Sequence, residues 1–511
     1  MNFVTSNTKL FLVAITILTA FVALSVNLET TPPLWWDEGW TLLVARNWVE
    51  LGHYGRLLDG QAAPRGLEAG FPVTASIALS FAVFGVGVYQ ARLVAVAFTI
   101  AALVSLYLLT CRFYNRSIAI GTLAVLIFMC GHVDINPLIA GRQVLGEIPS
   151  IFFLLSGYLA FLQAENRPFV AVPLAAVFWS LALFAKVQAQ PFWAASLVLP
   201  LLIVIFRRRW RLAGLIASGI VISVALFLWF QHYFSVNVTS SPVSGLTRVI
   251  ALAFSRHARL AVLNETLQYG LPTLFGLCWG LWMFLRSGYR MESHVDVVRC
   301  SFLTLTLSWF VWYEALSLGW PRYFFPPAFL GSMFVAAMLC DWTNNFSLAS
   351  TVERSAYMLR KLRLKQTSLA AIVAVMLIAM STARTLTILY EAYILDADGS
   401  IKKTVEFLNT KTPPNSLIET YESELFVFLK RRYHYPPDQI HVELIRKFSL
   451  GEQVTIDYDP VASDPDYLVV GPQNRFWDFY DAHITSGAFR SLQKYSRYEI
   501  YERVRNPSGK S

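Results

Sequence analysis

Long, predominantly apolar runs dominate the chain, and they constrain its fold more than any other feature. They fall at residues 10–26, 91–110, 118–131, 148–163, 170–185, 192–206, 212–231, 271–285, 301–318, 325–340 and 368–386. In hydrocarbon every backbone N–H and C=O must be satisfied within the segment, and a helix of roughly 20 apolar residues does this while crossing the bilayer. Eleven such runs, with only 15% charged residues where a soluble domain carries about 25%, predict an all-α polytopic membrane protein. Several runs are shorter than a straight span, so their ends must draw on flanking aromatic or polar residues. The first has no small-residue cleavage site and is read as a retained helix rather than a signal peptide.

Basic residues set the orientation. With the N-terminus inside, the inner loops hold Lys9, Arg112, Arg116, Arg167, Arg207, Arg208, Arg209, Arg211, Arg286, Arg290, Arg299, Arg354, Arg360, Lys361, Arg363 and Lys365, and the short outer loops hold far fewer, as the positive-inside rule requires. The net charge of +9 is therefore a topology signal and implies no nucleic-acid partner. The expected placement is the plasma (inner) membrane, with a cytoplasmic N-terminus and the whole tail after the last span outside the cytoplasm. The apolar stretch 71–86 is read as an outer juxtamembrane helix, because a crossing there would invert every later loop. The five cysteines, Cys111, Cys130, Cys278, Cys300 and Cys340, fall in spans or at their ends, a pattern that implies neither a disulfide framework nor a metal cluster.

The first outer loop contains Leu34-Trp35-Trp36-Asp37-Glu38-Gly39-Trp40, two adjacent carboxylates among tryptophans. From Trp40 the apolar residues Leu43, Val44, Trp48 and Leu51 follow at helical spacing, and Gly52 supplies a stop. Indoles favour the headgroup level, so the segment is expected to lie on the membrane with its acidic start facing water. A carboxylate ahead of a helix also serves as an N-cap, although one cap needs only one side chain.

Other charges converge on the same face. The loop 131–147 carries His132, Asp134, Arg142 and Glu147; Lys186 ends the fifth span; the longest outer loop, 232–270, holds Arg248, Arg256, His257 and Arg259; and Glu314 precedes Gly319-Trp320-Pro321-Arg322-Tyr323. Each also has a structural reading: Glu147 beside Pro149 suits a helix start, Lys186 suits snorkelling, and Arg322 suits a headgroup anchor. Glu314, about one turn inside a span, needs a partner or a task, and Arg322 is a possible partner. Beyond residue 390 the composition becomes that of a soluble domain. Residues 416–421, 466–470 and 498–505 read as strands and 422–432 as a helix, predicting a small extracytoplasmic α/β domain over 391–511 behind a membrane domain over 1–390. Residues 506–511 read as a disordered end. No Gly-rich phosphate loop and no internal repeat is present.

In order, the Asp-Glu pair of the first outer loop, Arg142-Gln143-Val144-Leu145-Gly146-Glu147-Ile148-Pro149, Lys186 after the fifth span, and Arg322-Tyr323 before the tenth resemble the GT-C membrane glycosyltransferases, with protein O-mannosyltransferases and lipid A aminoarabinose transferases as the nearest groups. The resemblance covers roughly residues 10 to 340. It implies that Asp37 is the catalytic carboxylate with Glu38 its companion, that Glu147 stands for a second loop acid, and that Lys186 and Arg322 face the donor phosphate. Arg142, Glu314 and Tyr323 are counted with Lys186, Arg322 and Glu68 as expected substrate-binding residues. Glu68 matches an acidic site further along the first loop, but Ala69-Gly70 stands where relatives have Lys-Pro, so that lysine contact is absent. The implied donor is a sugar on a polyprenyl or dolichyl monophosphate, with a lipid, glycan or protein acceptor and no nucleotide. No cofactor is certain; paired carboxylates also suit a divalent metal ion.

The residue types fit that chemistry. A carboxylate can take the proton of an attacking hydroxyl, cations can stabilise the departing phosphate, and a single displacement inverts the anomeric carbon. Two other classes compete: a lipid or sugar transporter, and a polymerase or ligase using a lipid diphosphate donor. Transporters tend to show repeated halves and ionisable groups near the midplane, whereas here the acids lie at one surface.

Overall fold

The computed structural model describes residues 20–64, 66–234, 249–287, 291–347, 349–351, 353, 366–395 and 398–505. Lys9, most of the first apolar run, Arg248, Arg290, the basic cluster between Arg354 and Lys365, and the end 506–511 lie outside the described residues. Residues 20–25 of the first run are helical.

A bundle of helices forms most of the chain. Its elements are α1 (Trp36–Leu51), α2 (Phe71–Phe84), α3 (Val88–Phe113), α4 (Arg116–Phe128), α5 (Glu147–Phe161), α6 (Pro168–Ala185), α7 (Gln190–Phe206), α8 (Trp210–Phe234), α9 (Arg256–Glu265), α10 (Leu271–Arg286), α11 (His294–Leu316), α12 (Pro321–Trp342) and α13 (Gln366–Tyr390). Among the described residues seven helical stretches are long and apolar enough to cross a membrane alone, and the chain is a multi-pass membrane protein. The expected spans at 118–131, 148–163 and 271–285 appear as α4, α5 and α10, helices of 13, 15 and 16 residues. At 1.5 Å per residue each is shorter than a hydrocarbon core of about 30 Å. Helix α2, at 14 residues, is short in the same way, as expected for a juxtamembrane segment. Helix α12 is buried along its whole apolar window and forms the centre of the bundle.

Short links make successive helices antiparallel, so the starts of α3, α5 and α12 and the end of α6 gather at one end of the bundle. Helix α1 lies across that end. It stops at Gly52, whose φ of 66° is the left-handed conformation that ends helices. The expectation that it rests at the headgroups with a wet acidic start is corrected by its burial: Trp36, Glu38 and Trp40 are all buried. A short antiparallel hairpin follows, β1 (Arg56–Leu58) with β2 (Gln61–Ala63), turning at Asp59-Gly60 with φ of 48° and 78°, the residues such a turn favours.

What covers α1 is the C-terminal region. Helix α14 (Ser400–Lys411), helix α15 (Asp438–Phe448), the short helices α16 (Pro472–Trp477) and α17 (Asp481–Thr485), and strands β3 (Leu417–Thr420), β4 (Arg432–His434), β5 (Tyr467–Val470), β6 (Phe489–Tyr495) and β7 (Tyr498–Arg503) build it. The sheet order is β4-β3-β5-β7-β6, with β4, β3 and β5 parallel and β7 and β6 antiparallel to their neighbours. Strands expected at 416–421, 466–470 and 498–505 match β3, β5 and β7. The helix expected at 422–432 does not form. Its first residues are held elsewhere: the Glu422 carboxylate accepts the N–H groups of Gly471, Gln473 and Asn474, and the Ser423 hydroxyl donates to the Trp36 carbonyl. Tertiary hydrogen bonds thus override the local preference, leaving a single tight turn at Ser423–Leu425. Aromatic packing joins the layers, with Trp40 against Phe426 and Tyr435 in a core continuous from the bundle to the sheet.

One ion pair ties α1 to the bundle. Arg92, near the start of α3, gives Nε and Nη2 to the two oxygens of Glu38 at 3.0 and 2.7 Å, and both side chains are 0% exposed. Glu38 also accepts the N–H groups of Trp35 and Val144. The remaining Arg92 protons go to the carbonyls of Leu28, Pro32 and Pro33. Removing the arginine would strand a buried carboxylate, at a cost of about 3–5 kcal/mol. Arg92→Met is therefore expected to lower the melting temperature of the purified protein sharply, with most of the loss recovered in the Glu38→Leu/Arg92→Met double variant; equal melting of Arg92→Met and the parent would refute this role.

Candidate active site

A small cleft opens beside the start of α1, lined by Trp35, Asp134, Gln143, Glu147, Arg322 and Phe325, together with Ala140, Leu145 and Ile148. Four sequence-predicted residues meet here as two ion pairs. Asp37 pairs with Arg322, and Glu147 pairs with Lys186 at 2.6 Å.

The local structure explains each position. Arg322 lies in the first turn of α12, where the positive end of the helix dipole disfavours a cation. A carboxylate facing it offsets that, and Asp37, in the first turn of α1, supplies one. The Trp35 indole N–H donates to the same carboxylate oxygen that Arg322 meets, 3.3 Å from Asp37 Oδ2. The Arg322 Nε–H is buried and finds no acceptor among the described residues, so the guanidinium has a donor to spare. Lys186 is the residue at which α6 ends and turns extended, with φ of −144°. Gly146, just before α5, presses on that end: a Cβ there would lie 2.7 Å from the Ala185 carbonyl oxygen. This close approach brings Glu147 against Lys186. Burial works against the Lys186 charge, but Glu147 and then Tyr323 outweigh it and hold the ammonium above its ordinary range.

Asp134 is a site residue that the sequence reading left out of its candidates. Burial, the nearby Glu147 and Glu265 push its carboxyl up to about 6. His132, 3.8 Å away, is pushed down to about 4 by burial and by Arg384, so it carries no compensating charge near neutrality.

The other candidates stand apart from the cleft. Glu38 is fully buried in its pair with Arg92, so it holds α1 rather than touching substrate. Arg142 is fully buried, donates to the Val26 carbonyl and covers the Tyr393 ring at 4.8 Å. Glu314 accepts from the Thr266 hydroxyl at 2.6 Å, while Arg259 donates to its backbone carbonyl; Arg322, the partner suggested by sequence, is committed to Asp37. Tyr323 is the exception: buried and stacked on Trp320 at 5.6 Å, it sets its hydroxyl 3.5 Å from Arg322 Nη2, beside the cleft. Glu68 accepts the Gly66 N–H in the loop that leads to Gly70, whose N–H reaches the Ala185 carbonyl. Asp37 and Glu38 point to separate cations, so the two carboxylates do not converge as metal ligands, and among the described residues no cluster of three His, Cys, Asp or Glu is placed to hold an ion.

No protein-family model matches the sequence, nor does any curated protein. Solved structures do. ArnT from Cupriavidus metallidurans bound to undecaprenyl phosphate matches with a TM-score of 0.62 at 15% identity, covering 98% of this chain and 99% of that one. The chain has the GT-C fold. The apo form of ArnT matches at 0.56 with 14% identity, over 97% of this chain and 98% of that one. The apo oligosaccharyltransferase of Archaeoglobus fulgidus matches at 0.54 with 12% identity, over 90% of this chain and 70% of that one. Within this GT-C fold the cleft sits at the bundle end closed by α1 and the C-terminal sheet.

Asp134 supplies the titration of the cleft. A carboxyl raised above its ordinary range binds its proton more tightly when folded than when unfolded, so stability is lost as pH rises from about 4 to about 6. Asp134→Asn removes that loss. The variant is expected to melt higher than the parent at pH 7, with the gap closing on titration to pH 4; a gap independent of pH would show that Asp134 is ionised across the range.

Proposed function

We propose that the protein is an integral membrane glycosyltransferase that moves a sugar from a polyprenyl or dolichyl monophosphate to an acceptor hydroxyl on the extracytoplasmic face, with inversion. The observation that carries this reading is the pairing of Asp37 with Arg322 and of Glu147 with Lys186 around one cleft. A carboxylate able to act as base and cations able to hold a phosphate lie side by side. A structural neighbour of nearly equal length, ArnT, was determined with undecaprenyl phosphate bound, which supports a lipid monophosphate donor.

The ion pairs suggest how the groups act. A donor phosphate entering the cleft competes with Asp37 for Arg322 and with Glu147 for Lys186. Once Arg322 turns to the phosphate, the Asp37 carboxylate loses its counter-ion and becomes a stronger proton acceptor. The acceptor hydroxyl attacks the anomeric carbon as its proton passes to Asp37. The bond between that carbon and the phosphate oxygen breaks, and its electron pair leaves with the lipid phosphate, whose charge Arg322 and Lys186 stabilise. Glu147, released from Lys186, positions the acceptor.

Asp37→Asn tests the base directly. Asparagine keeps the size and still suits a helix start, but it cannot take a proton, so transfer is expected to fall about 10²- to 10⁴-fold. Binding of undecaprenyl phosphate should be unchanged or tighter, because Arg322 is no longer neutralised. Lys186→Ala should instead weaken that binding about 10- to 100-fold, the loss of one charge-assisted hydrogen bond. Activity is read as sugar lost from a panel of undecaprenyl-phosphate-linked sugars incubated with membrane extract; parental turnover by Asp37→Asn, or use of diphosphate-linked glycans alone, would remove the reading.

Sidedness has its own test. Cysteines placed at Asp457 and Arg208, both exposed, should react with an impermeant reagent in intact cells at the first position only. The reverse pattern would put the cleft in the cytoplasm.

A further inference from the structure

The first turn of α1, which carries Asp37, is gripped by the C-terminal region at several atoms. The Trp36 indole N–H donates to the Tyr421 carbonyl at 2.8 Å, and the Ser423 hydroxyl donates to the Trp36 carbonyl at 2.5 Å. The Trp36 ring stacks on His441, centroids 4.7 Å apart and planes 26° apart, and on Tyr421 at 5.9 Å and 29°. His441 is fixed in turn by Nδ1, 2.6 Å from the Tyr421 hydroxyl. At Gly39 the two backbones touch: a Cβ there would fall 2.4 Å from the Glu424 nitrogen. Only glycine permits this approach.

We propose that the turn at 421–424 and the ring of His441 are positioning residues for sugar transfer, acting through Trp36 to hold Asp37 in register with Arg322. The inference rests on the reading of Asp37 as base. Two features favour it over simple domain packing. Beyond the packing of Trp40 on Phe426 and Tyr435, the hydrogen bonds and the closest backbone approach at the start of α1 fall on Trp36 and Gly39, the residues that flank Asp37 and Glu38. Moreover, burial and then the Arg322 charge push His441 down to about 3, so the imidazole is neutral and stands within the field of the cation that Asp37 faces. A neutral ring leaves Arg322 free for the phosphate, whereas a charged one would compete for Asp37.

The test uses the full chain in nanodiscs, undecaprenyl-phosphate-linked sugars as donors, and undecaprenyl phosphate as the binding probe. His441→Ala is expected to lower kcat about 10- to 100-fold, the scale of a small misplacement of a reacting group, and to leave the affinity for undecaprenyl phosphate unchanged. His441→Phe, which restores a ring against Trp36, should recover most of the rate. In the Asp37→Asn protein His441→Ala should cost nothing further, since residues acting as one unit are not additive. A parental kcat for His441→Ala, or an equal loss in the Asp37→Asn background, would overturn the proposal. If His441→Ala melts as unfolded, Ser423→Ala, which deletes one hydrogen bond, is judged by the same measurements. An inactive Asp37→Asn beside a fully active His441→Ala removes this inference alone; a fully active Asp37→Asn removes both.

Discussion

The buried pair of Glu38 and Arg92 is the contact on which the arrangement of the site depends. Each oxygen of Glu38 accepts one proton from the guanidinium and one from a backbone amide, those of Trp35 and Val144. A single carboxylate therefore joins the N-terminus of α1, the start of α3 and the strip of chain that leads into α5. Asp37 is the residue before it and Glu147 comes three residues after Val144, so the two ion-paired acids at the cleft are set at a fixed separation by one side chain that pairs with neither of their cations. Buried charges are costly to leave partly satisfied, and here both members are saturated, which makes the join stiff.

The cleft pairs are built on the opposite plan. Asp37 and Arg322 are each about a fifth exposed, and Lys186 is 23% exposed against 8% for Glu147. At Asp37 partial exposure keeps the exchange of partners inexpensive, because water can solvate that carboxylate as it lets go of its cation, whereas the buried oxygens of Glu147 need a new partner in place of Lys186. Adjacent residues in the chain thus have opposite tasks. Glu38 is committed and structural, whereas Asp37 is held by a pair that an incoming anion can break.

Much of this was legible in the sequence because it rests on local pattern. Apolar runs mark the helices, Gly52 marks the end of α1, and Asp37, Glu147, Lys186 and Arg322 stand at helix ends where a charge in an apolar protein needs a reason. What was not legible depends on which ends meet. Nothing in the order of residues distinguishes Glu38 from Asp37, since the difference lies in Arg92 approaching one and Arg322 the other. Glu314 read as a partner for Arg322 by nearness in the chain, yet the Thr266 hydroxyl takes it. Asp134 was visible as a loop acid but carried no motif. His441 had no signal at all, being an ordinary helix residue in a region whose contact with α1 is made only by folding.

The hydrogen bond from Trp36 to Tyr421 joins residues 385 positions apart, and the Arg432–Asp59 and Arg56–Asp438 pairs repeat the same long connection on the hairpin. At translation speeds of about 5–20 residues per second, the ribosome needs roughly 20–80 s after making α1 before its cover emerges. During that interval the helix and its indoles sit at the membrane surface without the layer that buries them in the finished protein. The nascent chain can be inserted and oriented long before its fold is complete, so a protein cut short after the last span would be held in the bilayer with the Asp37 turn unsupported.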